Sequence, residues 1–386
     1  MPARRSSRTS RTSIVYFAPA RAGNGPDPYR ALETLYRKVV AKDAIARGDY
    51  VAIKLHFGEL GNVRYIRPTF IRRVADLVKR SGGRPFATDT LTLYKHHRHS
   101  LFDHLETAAH HGFTSESIGC PVVIADGLRS SGVEVEVPRP RDINTCGVAQ
   151  AIYDADVLIN FAHLTLHPEF PIGAAVKNIG MGCVTRETKL RIHGTTVHPI
   201  FDRSDCVLCG RCLRMCPGDA FTLKRRRIHF DSSRCVSCGD CFAFCEGGAL
   251  QVPWAAETRR GNQIVQRRTC DAARAVLSTF APEKVVHFVL AMDITPNCDC
   301  MDASDLPVVP DLGLFASTDP VAVDMAGLDT LQAAAGYPGS QVDATSAAKP
   351  GGDKISKVWP HAGIAAYREI LSQSRLGSLD YKLQQV

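Results

Sequence analysis

Apolar positions along the chain fall into short runs and helical stripes that alternate almost throughout. Ile14 to Phe17 is an apolar run that predicts a strand. From Pro28 to Ala46, Leu32, Leu35, Val39, Val40 and Ile45 recur at helical spacing and predict an amphipathic helix. Tyr50 to Phe57 (YVAIKLHF), bracketed by Gly48 and Gly58, predicts a strand. Phe70 to Arg80 predicts a helix stopped by Gly82-Gly83, and Leu101 to His111 one stopped by Gly112. Pro85 to Thr88, Pro121 to Ala125 and Ala155 to Phe161 predict further strands, the last apolar enough to be central. Lys284 to Met292 (KVVHFVLAM) repeats that signature. Asp319-Pro320 then opens a helix to Ala335, with Asp at the cap and Pro in the first turn, and Gly363 to Ser372 closes the series.

Strand–helix alternation of this kind predicts an α/β fold: a mostly parallel sheet covered by helices on both faces. Residues 199–253 break the pattern. They carry Cys206, Cys209, Cys212 and Cys216, then Cys235, Cys238, Cys241 and Cys245, each set spaced C-x2-C-x2-C-x3-C. This is the spacing of bacterial two-cluster ferredoxins, in which the fourth cysteine of each run ligates the other cluster. The expected ligand sets are therefore crossed: Cys206, Cys209, Cys212 and Cys245 on one 4Fe-4S cluster, Cys235, Cys238, Cys241 and Cys216 on the second. A zinc knuckle or a disulfide framework is the competing reading of paired cysteines. The repeated four-cysteine spacing argues against zinc, and the lack of a secretory segment against disulfides. The division predicted is a disordered basic tail (1–12), the first part of the α/β domain (13–198), a small α+β ferredoxin-like insertion (199–253), and the remainder of the α/β domain (254–386). Basic linkers are expected near Arg191 and Arg259.

Composition narrows the class. Hydrophobic content of 45% and charged content of 22% can build an ordinary globular core. No apolar run approaches the roughly 18–20 residues that span a bilayer, so no membrane role is expected and the reading is cytoplasmic. The net charge of +8 comes in part from Arg4, Arg5, Arg8 and Arg11 in the tail and the Lys224–Arg227 knot. Basic residues without an aromatic platform are a solvated arm, which argues against nucleic acid.

Polar residues gather just past the predicted strands: Lys54, His56 and Glu59; Asp89 and Thr90; His163 and His167; Asp293 and Thr295. In open α/β sheets ligands bind outside the carboxyl ends of the strands, so these residues can converge. His96, His97, His99, His110 and His111 read mostly as helix-face or loop residues. Gly173 to Cys183 sets Lys177 and Asn178 among small residues that let a ligand approach the backbone. Pro296 to Cys300 carries Cys298, Asp299 and Cys300, whose C-x-C spacing is too close for an unstrained disulfide and offers a further metal site. Phe315 to Asp324 reads mainly as a helix N-terminus, a ready anion site. Cys120, Cys146 and Cys270 are isolated and read as structural.

VAIKLHFGELGN (51–62), TDTLTLY (88–94), DHLETAAHHGF (103–113), IADGL (124–128), AVKNIGMGC (175–183), the cysteine runs, ITPNCDC (294–300) and VPDLGLFASTDPVAVD (309–324) together resemble the "domain of unknown function 362" family of iron–sulphur centre proteins. Around His163 the family pattern His-x-x-Gly-His with Gly-Phe-Gly-Gly is replaced by His163-Leu-Thr-Leu-His167 and Pro171-Ile-Gly-Ala. The resemblance implies the fold and two 4Fe-4S clusters, with no reaction attached. Two functions follow as expectations. In the first, electrons supplied by a redox partner protein reach a small substrate or metal in the crevice. There Lys177 and Asn178 bind an anionic or carbonyl group, and His56 and His163 donate protons or ligate metal. In the second, the protein is an electron-transfer module for a partner enzyme. A carrier alone needs only the ferredoxin-like segment, which favours the first.

Overall fold

The computed structural model describes residues 12–20, 27–196, 198–255 and 258–386; the expected tail at 1–12 lies outside them apart from Thr12. The main sheet has eight strands: β1 (Ser13–Pro19), β2 (Tyr50–Lys54), β3 (Arg84–Asp89), β4 (Val122–Ile124), β5 (Val157–His163), β6 (Val285–Ala291), β7 (Gly313–Ser317) and β8 (Tyr381–Gln385). Their order is β8-β1-β7-β6-β5-β2-β3-β4. β1 and β6 pair antiparallel with β7, and every other neighbour pair is parallel. The expected mostly parallel α/β sheet is the fold, and β5 and β6 are adjacent at its centre.

Both faces are covered. Val51, Ile53, Ile159, Phe161, Phe288 and Leu290 point to one side, against helices α1 (Pro28–Val39) and α2 (Pro68–Arg80). Leu101–His110 forms α3. Ala52, Leu158, Ala162, Val289 and Phe315 point to the other side. There the core is completed by α4 (Ala175–Gly180), α6 (Arg259–Ser278), α7 (Pro320–Ala333) and α8 (Ile364–Ser374), with α5 being Arg186–His193. Phe161 stacks on Phe288 at 5.8 Å, and each such buried side chain contributes roughly 1.5–3 kcal/mol.

The second face carries a feature that positions the site. Thr88, Lys54, Asn160, His287 and Ser317 are register partners across β3, β2, β5, β6 and β7, and all are buried. A polar row inside a sheet must find partners. Asn160 Nδ2 donates to the Ala175 carbonyl (3.0 Å) and lies 3.1 Å from His287 Nδ1. Asp324 of α7 accepts the Ala175 and Val176 N–H groups at 2.7 and 3.0 Å, capping α4. Burial pushes that carboxyl up to about 7, even though the two N–H groups oppose it.

Several expectations are corrected. α1 ends at Val39, not Ala46, because Val40 is extended and Asp49 takes the Ala46 N–H at 2.9 Å in a turn. The linkers expected near Arg191 and Arg259 are helices α5 and α6. Phe315 to Ser317 lies in strand β7. The N–H groups beyond it are no ready anion site, since the Asp319 carboxylate itself accepts those of Val321 and Ala322 at 2.9 Å. Residues 199–253 lie outside the main sheet and hold two small sheets of their own, Ile200–Phe201 with Leu250–Gln251 and Phe221–Lys224 with Arg227–Phe230. No helix among the described residues is long and apolar enough to cross a membrane.

Candidate functional site

A cavity of about 790 Å³ opens at the carboxyl ends of β2, β3 and β5. Its floor is a buried charge network. Lys54, the last residue of β2, has its ammonium 3.1 Å from the Asp89 carboxylate and donates to Asn178 Oδ1 (2.7 Å) and the Leu55 carbonyl (2.8 Å). Gly182 makes this fit possible, because a Cβ there would come within 2.3 Å of the Lys54 ammonium. Burial works to raise the Asp89 carboxyl, but Lys54, His56, His104 and Arg98 outweigh it and hold the carboxyl below its usual range. Arg98 in turn bonds Glu59 at 3.0 Å and lies 3.8 Å from Asp89. His104 of α3 packs beside Asp89 at 3.7 Å, and burial drives its pKa down to about 3.

The far wall is the turn after β6. The loop Glu59–Asn62 holds this turn: Glu59 N–H donates to the Asp299 carbonyl (2.8 Å) and Asn62 Nδ2 to that of Met301 (3.2 Å). His163, ending β5, bridges Asp299 Oδ1 and the Met292 carbonyl, each at 2.7 Å. Two acceptors on one ring favour the imidazolium. Burial opposes the charge, yet the Asp299 carboxylate prevails and the pKa is raised. Asp299 Oδ2 is buried and has no hydrogen-bond partner among the described residues. Cys298 and Cys300, expected to be too close for an unstrained disulfide and to offer a further metal site, are joined as a disulfide. The Asp299 residue between them supplies a Cα–Cα span of 5.3 Å. His167 Nε2 lies 3.9 Å from Cys300 Sγ. This nitrogen and the two sulphurs lie within 4.8 Å of one another, a spacing that would hold a metal ion only with the disulfide reduced.

The residues expected at the site are brought together here: His56, His163, Lys177, Asn178, Cys298, Asp299 and Cys300 all line the cavity. Their commitments differ. Asn178 is taken up by Lys54 and Asn160, donating to Asn160 Oδ1 at 2.7 Å. Both ring nitrogens of His163 are engaged as described. His56 accepts the Gly58 N–H on Nδ1 (2.9 Å), and burial lowers its pKa well below the usual value, so the neutral ring carries its proton on Nε2. Lys177 makes only through-space charge contacts among the described residues. Burial brings its ammonium down to about 8 against the upward pull of Glu169. His96 is the exposed loop residue expected, although it also lines the cavity, whereas His111, at the end of α3, is buried with Nδ1 2.7 Å from the Phe57 carbonyl.

The cysteine-rich segment abuts this cavity. Its two loops repeat one backbone device: Leu208 and Gly210 in the first, Ser237 and Gly239 in the second, all at positive φ. The cysteines that act electrostatically on Cys212 are Cys206, Cys209 and Cys245. Those acting on Cys241 are Cys238, Cys235 and Cys216. Cys241 packs with Leu93, Leu190, Phe242 and Val252, and Leu93 also lines the cavity. Buried Arg186 pins the contact, with Nη1 on Asp240, Nε on the Thr92 carbonyl (2.9 Å) and Nη2 on that of His99 (2.6 Å).

The family model described as "Domain of unknown function (DUF362)" matches residues 51–329, a span holding every cavity residue named above. The chain belongs to the DUF362 family. Among curated proteins none matches it. One similar solved structure, the lactate racemase apoprotein from Thermoanaerobacterium thermosaccharolyticum, aligns with a TM-score of 0.39 and 12% identity. The alignment covers 84% of this chain and 58% of that one.

Within the DUF362 span, the sequence reading missed Arg98, His104, Lys189 and Arg186. Spacing carried no sign of them, because each meets its partners through tertiary contacts. Lys189 is typical: a helix-face lysine by pattern, it donates to Thr90 Oγ1 at 2.7 Å, and burial brings its ammonium down to about 8. A prediction arises from His163. Since its folded pKa is raised, its stabilising contribution is complete below about 6.5 and is lost as pH rises through the folded value. Replacement His163→Gln should remove that alkaline-side loss, read as a flatter pH profile of the urea midpoint above pH 7. An unchanged profile would contradict the His163–Asp299 ion pair.

Proposed function

We propose that this protein moves electrons through two 4Fe-4S clusters, held by residues 199–253 as an inserted ferredoxin-like unit, to a small molecule bound in the cavity. The observation that carries the reading is the grouping of the eight cysteines. Cys206, Cys209 and Cys245 act on Cys212, and Cys238, Cys235 and Cys216 on Cys241, as two crossed quartets would require, and the segment is packed, through Leu93, against the wall of a polar cavity. Residues of that kind and grouping fit the ferredoxin pattern. When bound, the clusters would supply one-electron donors close to the site. A redox partner protein is the proposed source of those electrons.

The chain's own residues define the occupant. The Lys177 ammonium, without a protein hydrogen-bond partner among the described residues, takes an anionic or carbonyl oxygen. Asp299 Oδ2, buried and unpartnered, takes an O–H or N–H donor. His56 presents a neutral ring with its proton on Nε2. Asn178 and His163 hold Lys54 and Asp299 in place. Native mass spectrometry of anaerobically purified protein tests this. A retained small molecule is expected in the parent and is expected to fall at least tenfold in Lys177→Met, with iron content unchanged. Retention equal in both would remove the cavity from the function and leave a carrier serving a partner enzyme.

A further inference from the structure

The Cys298–Cys300 turn lies on the wall of the cavity rather than at the surface, and nothing in the fold needs it as a staple. It closes only one intervening residue, and the turn is already fixed by Glu59, Asn62 and the Trp359 indole, which donates to the Pro296 carbonyl at 2.7 Å. A cross-link over so short a loop removes little unfolded-chain entropy. Its position is chemical instead. Cys300 Sγ faces His167 Nε2 at 3.9 Å. The Glu169 N–H donates to His167 Nδ1 at 3.0 Å, which places the proton of the neutral ring on Nε2, against the sulphur. A metal at that nitrogen would need a lone pair there, and the partner nitrogen would ordinarily be the one donating outward. The tautomer therefore suits a sulphur that gains negative charge better than it suits a metal.

Tyr94 also joins the turn to the cysteine-rich segment. Tyr94 donates its hydroxyl to the Cys300 carbonyl at 3.3 Å, and it lines a groove together with Phe242, Cys245 and Glu246. We propose that Cys298 and Cys300 form a redox-active dithiol/disulfide couple that collects two single electrons at the cavity wall. In the reductive direction the Sγ–Sγ bond breaks, two electrons enter, and each sulphur takes one proton from water in the cavity. The donors are two one-electron iron–sulphur centres, or a chemical reductant of the same class. His167 is a positioning residue, since its N–H stabilises the first thiolate released. The source of the electrons rests on the function proposed above, whereas the couple itself does not.

The test uses whole protein purified anaerobically, split into samples equilibrated with oxidised glutathione, dithiothreitol or dithionite. Each is unfolded in chaotrope with iodoacetamide and digested, and iron and acid-labile sulphide are measured on the same batch. Buried Cys120, Cys146, Cys183 and Cys270 are the controls that alkylate in every sample. The peptide containing Cys298 and Cys300 should carry no label after glutathione disulphide and two after either reductant. His167→Phe should shift the midpoint of that change in a glutathione titration while leaving the iron content as it was. Double labelling in all samples, or zinc bound in proportion to protein and released with the thiols, overturns the couple even when iron is present. A peptide that switches with dithiothreitol in protein lacking iron and sulphide keeps the couple and removes the proposed donors.

Discussion

Asp89→Ala is expected to destabilise the protein by about 3–5 kcal/mol, the usual cost of removing one partner from a buried ion pair. Lys54 is fully buried and Arg98 nearly so. Without the Asp89 carboxylate, Lys54 keeps only its bonds to Leu55 and Asn178, and Arg98 keeps Glu59. The urea midpoint should fall with little change in slope, since the surface exposed on unfolding stays the same. The double change Lys54→Met with Asp89→Leu should recover most of the loss, because it removes the charges together. Because the Asp89 pKa is depressed, its contribution is present above about 3.9 and is lost as pH falls through the folded value. A loss under about 1 kcal/mol for Asp89→Ala would mean that water reaches the pair.

Cys241→Ala is the second large effect. Cys241 sits between its three cysteine neighbours and the Leu93–Leu190 contact, so it belongs both to a proposed cluster and to the interface with the cavity. A segment of this size has too little apolar core to hold itself without its metal. Its two small clusters of buried side chains, around Phe242 and around Phe221, are no larger than a handful of residues each. Hydrogen exchange should lose protection across residues 199–253, while β5 and β6 stay protected. Loss of protection through the whole sheet would show that the segment is part of the main folding unit.

The contrast between what the sequence showed and what it hid has a physical basis. β5 and β6 were legible because strands buried on both faces read as unbroken apolar runs. The cysteine quartets were legible because ligand chemistry demands fixed local spacing. Strand β7 was hidden because its antiparallel partners β1 and β6 are distant or separated in sequence by the site turn. β8 was hidden because it lies on the sheet edge with Lys382, Leu383 and Gln385 exposed and no residue fully buried, so it carries no apolar run. Helix α6 was hidden by its own buried face. There Asn262 and Gln266 replace apolar residues and donate to the Pro168 and Glu169 carbonyls at 3.0 and 2.6 Å. In the site, the strand-end rule located Lys54, His56, Asp89 and His163, but the roles of Lys54 and His163 depended on Asn178 and Asp299, each more than a hundred residues away. Asn178 and His163 look like ligand contacts in a list and turn out to be held by Asn160 and Asp299.

Iron and acid-labile sulphide analysis of anaerobically purified protein, with EPR after dithionite reduction, is the most direct test of the account. Two cubane clusters require about eight iron and about eight sulphide per chain, and a split signal from two interacting spins. Stoichiometric zinc with no acid-labile sulphide would contradict it.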